Sequence, residues 1–230
     1  MPSLPRRVAA EALGTFALVF IGAAVVVVNG GFPNSGIGLL GIALAHAVVL
    51  SVMITSTMSI SGGHLNPAVT LSLLAVRRID ALSAAAYVVA QLVAAVAGAF
   101  LVKALFPPHV ANATLVGVPV IASSVSLGKA IGIELVLTFF LVSAVFGTAV
   151  SPDAPRVGGF GIGLVLLFDI LVGGPLTGAA MNPARAFGPA LVAGSWIGQL
   201  VYWIGPILGG ILAAFLWEFV LLPGPATRAR

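Results

Sequence analysis

The chain has 230 residues, 60% of them hydrophobic and 7% charged, with a mean hydropathy of +1.19 and a formal net charge of +4. These values exclude an ordinary soluble domain, in which charged residues make up about 25% of the total. They also speak against a nucleic-acid partner, because the basic residues are scattered at the ends of apolar runs and form no patch.

Crossing the hydrocarbon core of a bilayer takes about 20 apolar residues, and the chain offers six such spans, at roughly 9–28, 38–58, 81–102, 128–150, 157–174 and 197–221. An integral, multi-pass, all-α membrane protein is expected, with no soluble domain besides. Arg6 and Arg7 precede the first span as they would in a secretion signal, but Glu11 interrupts the run and its length exceeds a cleavable apolar region, so it reads as a retained helix. If the spans alternate, Arg6, Arg7, Arg77, Arg78, Arg156, Arg228 and Arg230 fall on one side and Lys103 and Lys129 on the other. The excess of arginine predicts that both termini face the cytoplasm, and the cell (plasma) membrane is the expected location. The absence of cysteine removes disulfides, thiol nucleophiles and thiolate metal sites, and predicts insensitivity to mercurials. No metal or cofactor is expected.

Between the second and third spans lies Asn66, Pro67, Ala68, and between the fifth and sixth Asn182, Pro183, Ala184. Asparagine is a favoured N-cap and proline is tolerated at the first helical position, where its missing N–H would be unpaired anyway. Each motif therefore predicts the start of a short helix, over 67–76 and 183–192, each roughly 15 Å long at 1.5 Å per residue. Glu11, Thr15, Phe16 recur with the same spacing as Glu134, Thr138, Phe139, so the chain repeats internally, over about 1–110 and 120–230. Three spans per half is an odd number, and the second half is inverted relative to the first. The two short helices then enter from opposite faces and meet N-terminus to N-terminus, making six transmembrane helices plus two re-entrant half-helices in a single channel domain over 1–230. Their meeting point gathers unpaired N–H donors, partial positive charge and two Asn amides. Glu11 and Glu134 are intramembrane carboxylates, read as structural support that accepts N–H donors of the non-helical loop in its own half. His64 is placed on the inner loop lining, and Asp80 and Asp153 at the cytoplasmic rim. Asp169 faces the outer vestibule or ties down an outer loop, and the residues do not decide between these. Ala10 with Gly14, and Gly205 with Gly209, permit close helix contact.

On the paired Asn-Pro-Ala motifs and the repeated glutamates, the chain resembles the aquaporins of the major intrinsic protein family over essentially its whole length. The resemblance implies a passive water channel that excludes protons and ions, is not an enzyme, and assembles as a homotetramer with one pore per subunit in the lipid bilayer. It implies that Asn66 and Asn182 donate to single-file water, and that a second constriction is built from His46, Ile170, Ala179 and Arg185. That set departs from the Phe, His, small residue, Arg pattern of strict water channels and resembles the plant tonoplast intrinsic proteins. A wider opening with one apolar wall is expected, passing small neutral solutes such as ammonia, hydrogen peroxide or urea besides water. A glycerol or small-polyol facilitator is the nearest alternative, but Ala186 and Ala190 stand where that branch carries Asp and a basic residue. An ion-coupled secondary transporter would need a midplane carboxylate, and a hydrolase built on Ser61 and His64 would lack a third orienting group.

Overall fold

The computed structural model describes residues 2–223; Arg228 and Arg230 lie outside the described residues. Long helices dominate, as apolar runs must in lipid, where every backbone N–H and C=O has to be paired within its own segment. In chain order they are α1 (Leu4–Gly31), α2 (Gly38–Ser61), α3 (Pro67–Ala75), α4 (Ala81–Leu105), α5 (Pro108–Ala113), α6 (Leu127–Val145), α7 (Phe160–Thr177), α8 (Pro183–Ala193) and α9 (Val201–Leu216). Helices α6 and α9 each end in a π-helical turn, Phe146–Val150 and Trp217–Leu221, and with these turns six helices are long and apolar enough to span a bilayer. No strand occurs among the described residues.

Local chemistry accounts for the helix ends. Asn66 caps α3 by accepting from the Ala68 N–H, and Asn182 caps α8 by accepting from the N–H groups of Ala184 and Arg185. Asp80 and Ser126 cap α4 and α6 through the N–H groups of Ser83 and Lys129. Helices α2 and α7 both stop at a left-handed glycine, Gly62 (φ 94°) and Gly178 (φ 80°), the conformation that lets the chain leave a helix sharply. The fifth span begins at Phe160 instead of 157, because the turn that precedes it is held by the Thr55 hydroxyl, which accepts from the Gly159 N–H at 2.8 Å.

Lipid gives helices no hydrophobic reason to associate, so they pack where small residues let backbones approach. The closest pairings are α6 with α9, α2 with α7, α1 with α4 and α1 with α2. At the α6–α9 crossing a side chain on Gly209 would run into the Leu135 carbonyl, and at the α4–α8 crossing one on Gly188 would meet the Ala95 carbonyl. The bundle keeps its polar groups inside: of the six acidic residues, Glu11, Glu134 and Asp169 are buried. Its outward faces are apolar, as at Leu40, Leu44 and Val48 on α2 and Leu164, Phe168 and Val172 on α7.

Candidate functional site

Short helices α3 and α8 point their N-termini at each other in the middle of the bundle, and the two Asn side chains lock that junction crosswise. Asn66 Nδ2 donates to the Met181 carbonyl at 2.9 Å, and Asn182 Nδ2 donates to the Leu65 carbonyl at 2.9 Å. Each Oδ1 is used as a helix cap and each amide spends one N–H across the junction, which leaves its second N–H for the space between.

Leu65 and Met181 hold their carbonyls there by adopting positive φ, 51° and 52°, a conformation that costs a non-glycine residue about 1–2 kcal/mol. Two buried carboxylates hold it in place. Glu11 accepts from the N–H groups of His64 (2.9 Å) and Leu65 (2.7 Å), from the Ser61 hydroxyl (2.7 Å) and from Gln91 Nε2 (2.9 Å). Glu134 accepts from the N–H groups of Ala180 (3.0 Å) and Met181 (2.7 Å) and from the Thr177 hydroxyl (2.7 Å). A tyrosine closes each loop at its helix end: Tyr87 donates to the Ser61 carbonyl and Tyr202 to that of Thr177. A buried charge is tolerable only when paired or fully hydrogen-bonded, and here the bonds come from the loops themselves.

A cavity with about 460 Å³ of space, part of it open to the exterior, is lined by both Asn residues of the junction. Its walls are paired across the two halves of the chain: Leu18 with Leu141, Leu50 with Leu166, Ile54 with Ile170, and Asn66 with Asn182. Symmetry fails where His46 faces the pathway opposite in kind to Ile162, where Arg185 corresponds to Val69, and where His64 corresponds to Ala180. One end therefore carries Arg185 and His46, and the other carries His64 as its polar side chain among the apolar Val69 and Ile162.

At the charged end, His46, Ile170, Ala179 and Arg185 all line the cavity. Arg185 lines in addition a separate outer recess of about 590 Å³ formed by Val118, Pro119, Val120 and Gly178, which puts it at the junction of passage and vestibule. Its guanidinium has no carboxylate partner among the described residues; Nε donates to His46 Nε2 (3.3 Å) and one Nη donates to the Gly117 carbonyl (3.0 Å). His46 Nδ1 lies 2.9 Å from the Ile42 carbonyl, an acceptor, so the proton sits on Nδ1 and the ring takes the arginine N–H on Nε2. Gly22 makes room for that ring, since a Cβ there would press on Nε2.

The sequence did not point to Gly117, Thr70, Gln91, Tyr87 or Thr177, nor to the loop-closing role of Tyr202. A backbone carbonyl such as that of Gly117 carries no sequence signature; Gln91, a lone amide in an apolar span, was a usable signal. Asp169 is 1% exposed on α7, with no bond to an outer loop and no partner for Oδ2 among the described residues. Asp80 is an N-cap, and hydrogen bonds from Ser83 hold its carboxyl below the usual aspartate range. No group of three or more His, Cys, Asp and Glu residues that could hold a metal occurs among the described residues.

Comparison with known proteins gives a consistent picture. The family profile described as Major intrinsic protein matches residues 1–217. The chain is 44% identical to "Aquaporin TIP4-4" of Zea mays over 222 residues, covering 93% of this chain and 85% of that protein. It is 43% identical to "Aquaporin TIP4-1" of Arabidopsis thaliana (97% and 89% covered) and 39% identical to "Aquaporin-8" of Mus musculus (92% and 80%). Among solved structures, the aquaglyceroporin from Plasmodium falciparum superposes with a TM-score of 0.84 over 95% of this chain and 97% of that one. At 24% identity, that likeness speaks to the fold alone.

Proposed function

Because this chain belongs to the major intrinsic protein family, we propose that it is a passive transmembrane channel that conducts water and excludes protons and ions. The observation that carries the mechanism is the crosswise Asn junction. With Oδ1 committed to a cap and one N–H committed to the opposite loop, each Asn presents a single remaining donor to the passage. A water oxygen accepting both donors has its hydrogens turned away along the pore, which interrupts a hydrogen-bonded chain at the point where two helix N-termini already disfavour positive charge. Arg185 adds a fixed cation at the vestibule, held there by His46 and the Gly117 carbonyl.

The solute range follows from the same walls. Ile170 and Ala179 leave one side of the outer constriction apolar and the other polar. That combination suits water and small neutral solutes such as ammonia, hydrogen peroxide and urea. His46→Phe narrows the opening and removes the acceptor for Arg185, and ammonia flux is expected to fall several-fold relative to water flux. Unaltered ammonia flux would remove His46 from the constriction.

We read the chain as one channel domain of two inverted repeats, on the parallel roles of Glu11 with Glu134, Tyr87 with Tyr202 and Asn66 with Asn182. We place both termini on the cytoplasmic side of the membrane, on the arginines of the α1 start, the α3–α4 turn and the α6–α7 loop. We propose further that it assembles as a homotetramer with one pore per subunit, an expectation carried by the family resemblance alone.

The test is stopped-flow light scattering of proteoliposomes after a hyperosmotic step with an impermeant solute, against empty vesicles. Shrinkage many times faster, with a weak temperature dependence, is expected. Rates equal to those of empty vesicles from correctly folded protein would overturn the water-channel reading.

A further inference from the structure

The inner half of the passage holds a buried polar relay with no counterpart in the outer half. Gln91 on α4 donates through Nε2 to Glu11 Oε2 at 2.9 Å and to the Thr70 hydroxyl at 3.1 Å, and Thr70 Oγ lies 3.1 Å from His64 Nδ1. Gln91 and Thr70 are fully buried, and His64 lines the passage. The equivalent positions in the second half are Ala180, Ala186 and Pro206, none of which has a side-chain hydrogen-bonding group.

Proton positions along this relay follow by elimination. Glu11 already accepts from two backbone N–H groups and the Ser61 hydroxyl, so it is an acceptor and the amide must turn its NH2 towards it. The opposite amide orientation would set Gln91 Oε1 against the Glu11 carboxylate at 2.9 Å, acceptor against acceptor. The orientation seen leaves Oε1 without a partner, a cost that the two bonds from Nε2 outweigh. Thr70 Oγ is thereby an acceptor towards Gln91 and has its own hydrogen left to place. A buried hydroxyl hydrogen without an acceptor is costly, and among the described residues the acceptor within reach is His64 Nδ1.

We infer that Thr70 and Gln91 are positioning residues that fix His64 as the neutral Nε2–H tautomer, so that the inner half of the passage presents one directed N–H donor to permeating water. His64 Nε2 has no protein partner among the described residues, so that donor is free for the passage. The ring packs edge-on against Tyr87 at 5.2 Å between centroids, and Gly62 leaves room beside Nε2, where a Cβ would come within 3.1 Å. The two histidines lining the passage are then opposite tautomers: His46 keeps its proton on Nδ1 and accepts from Arg185, whereas His64 keeps its proton on Nε2 and donates. Apolar Leu18, Leu50 and Ile162 line the same passage, so this donor is a polar foothold for a water chain in otherwise apolar surroundings.

The meaning for transport rests on the water-channel reading above, but the tautomer does not, and the experiment separates the two. Full-length protein carrying ¹⁵N-histidine is reconstituted in bilayers at neutral pH, and solid-state NMR reads which ring nitrogen of His64 is protonated, with the residue assigned through its backbone. Nδ1 is expected as an unprotonated, acceptor nitrogen and Nε2 as a protonated one. In Thr70→Val the ratio of the two forms is expected to fall about tenfold or more towards a mixture, the scale of one lost hydrogen bond. Gln91→Leu frees the hydroxyl to accept and shifts the ratio the same way, while Thr70→Ser retains the wild-type tautomer. A proton on Nδ1 in the wild type, which a reversed relay with a protonated Glu11 would give, overturns the inference; so does a tautomer indifferent to Thr70→Val. Water flux is measured on the same samples. The expected tautomer with no water flux would leave the relay standing and remove the channel reading instead.

Discussion

Glu134 shows how much of this fold hangs on single side chains. Its two oxygens accept from two consecutive backbone N–H groups, of Ala180 and Met181, and from the Thr177 hydroxyl, which itself accepts from the Ala179 N–H. In Glu134→Gln one oxygen becomes an NH2 group that must face an N–H, donor against donor. The expected loss is about 1.5–3 kcal/mol, the worth of a hydrogen bond to a charged group. It should appear as a lower unfolding midpoint in detergent together with reduced water permeability, since Met181 also supplies the carbonyl that orients Asn66. An unchanged midpoint would mean that the loop is held by something else. At this scale the sequence was legible where a residue type is rare in its surroundings. An Asn before a Pro, an Arg inside an apolar loop and a Glu in a span each stood out, and each lies on the passage or directly behind it. The Gly117 carbonyl did not stand out, because it belongs to the backbone and lies 68 positions from the arginine it receives. Nor did Thr70, which looks like an ordinary first-turn threonine of α3.

Helix ends were read closely where the stop or start signal is local, and less well where it is tertiary. The short helices were expected at 67–76 and 183–192 and occur at Pro67–Ala75 and Pro183–Ala193. The π-turns after α6 and α9 carry no such signal: Phe146 packs against Trp217, so each turn is shaped by the other helix. At the start of α4, Asp80 is an exposed N-cap whose carboxyl is kept below its ordinary range chiefly by hydrogen bonds from Ser83. Because the folded state depresses this group, its contribution is present above the unfolded pKa and is lost as pH falls through the folded one. Asp80→Ala is therefore expected to lower the unfolding midpoint at neutral pH. The gap to the wild type should close in acid, where the wild-type cap is itself protonated. A gap that stays constant down to strongly acidic pH would mean that Asp80 acts through something other than its charge.

Taken as a whole, the molecule is a nearly two-fold object with unlike ends. The wall pairs Leu18 with Leu141, Leu50 with Leu166 and Ile54 with Ile170 repeat across the middle, while Arg185 and His46 at one end answer to Val69 and Ile162 at the other. An asymmetric pore does not by itself favour one direction. Among the described residues that line the passage none is a carboxylate that could bind a coupling ion, and the passive-channel reading proposed above predicts reversible flow. In cells that insert the chain in one orientation, osmotic permeability is expected to be equal for swelling and shrinking and unchanged when ion gradients are collapsed. The unlike ends should matter for charge instead. Arg185→Val makes the outer end resemble the inner one and removes the only fixed cation on the passage, leaving the helix N-termini at the Asn junction as the sole electrostatic barrier. Water permeability in that variant should stay within a few-fold of the wild type. Cation or proton conductance should become measurable as current or as a pH change across the membrane. If conductance stays at background, exclusion resides at the Asn junction alone; if permeability differs between swelling and shrinking, part of the structure moves with the flow and the passage is gated.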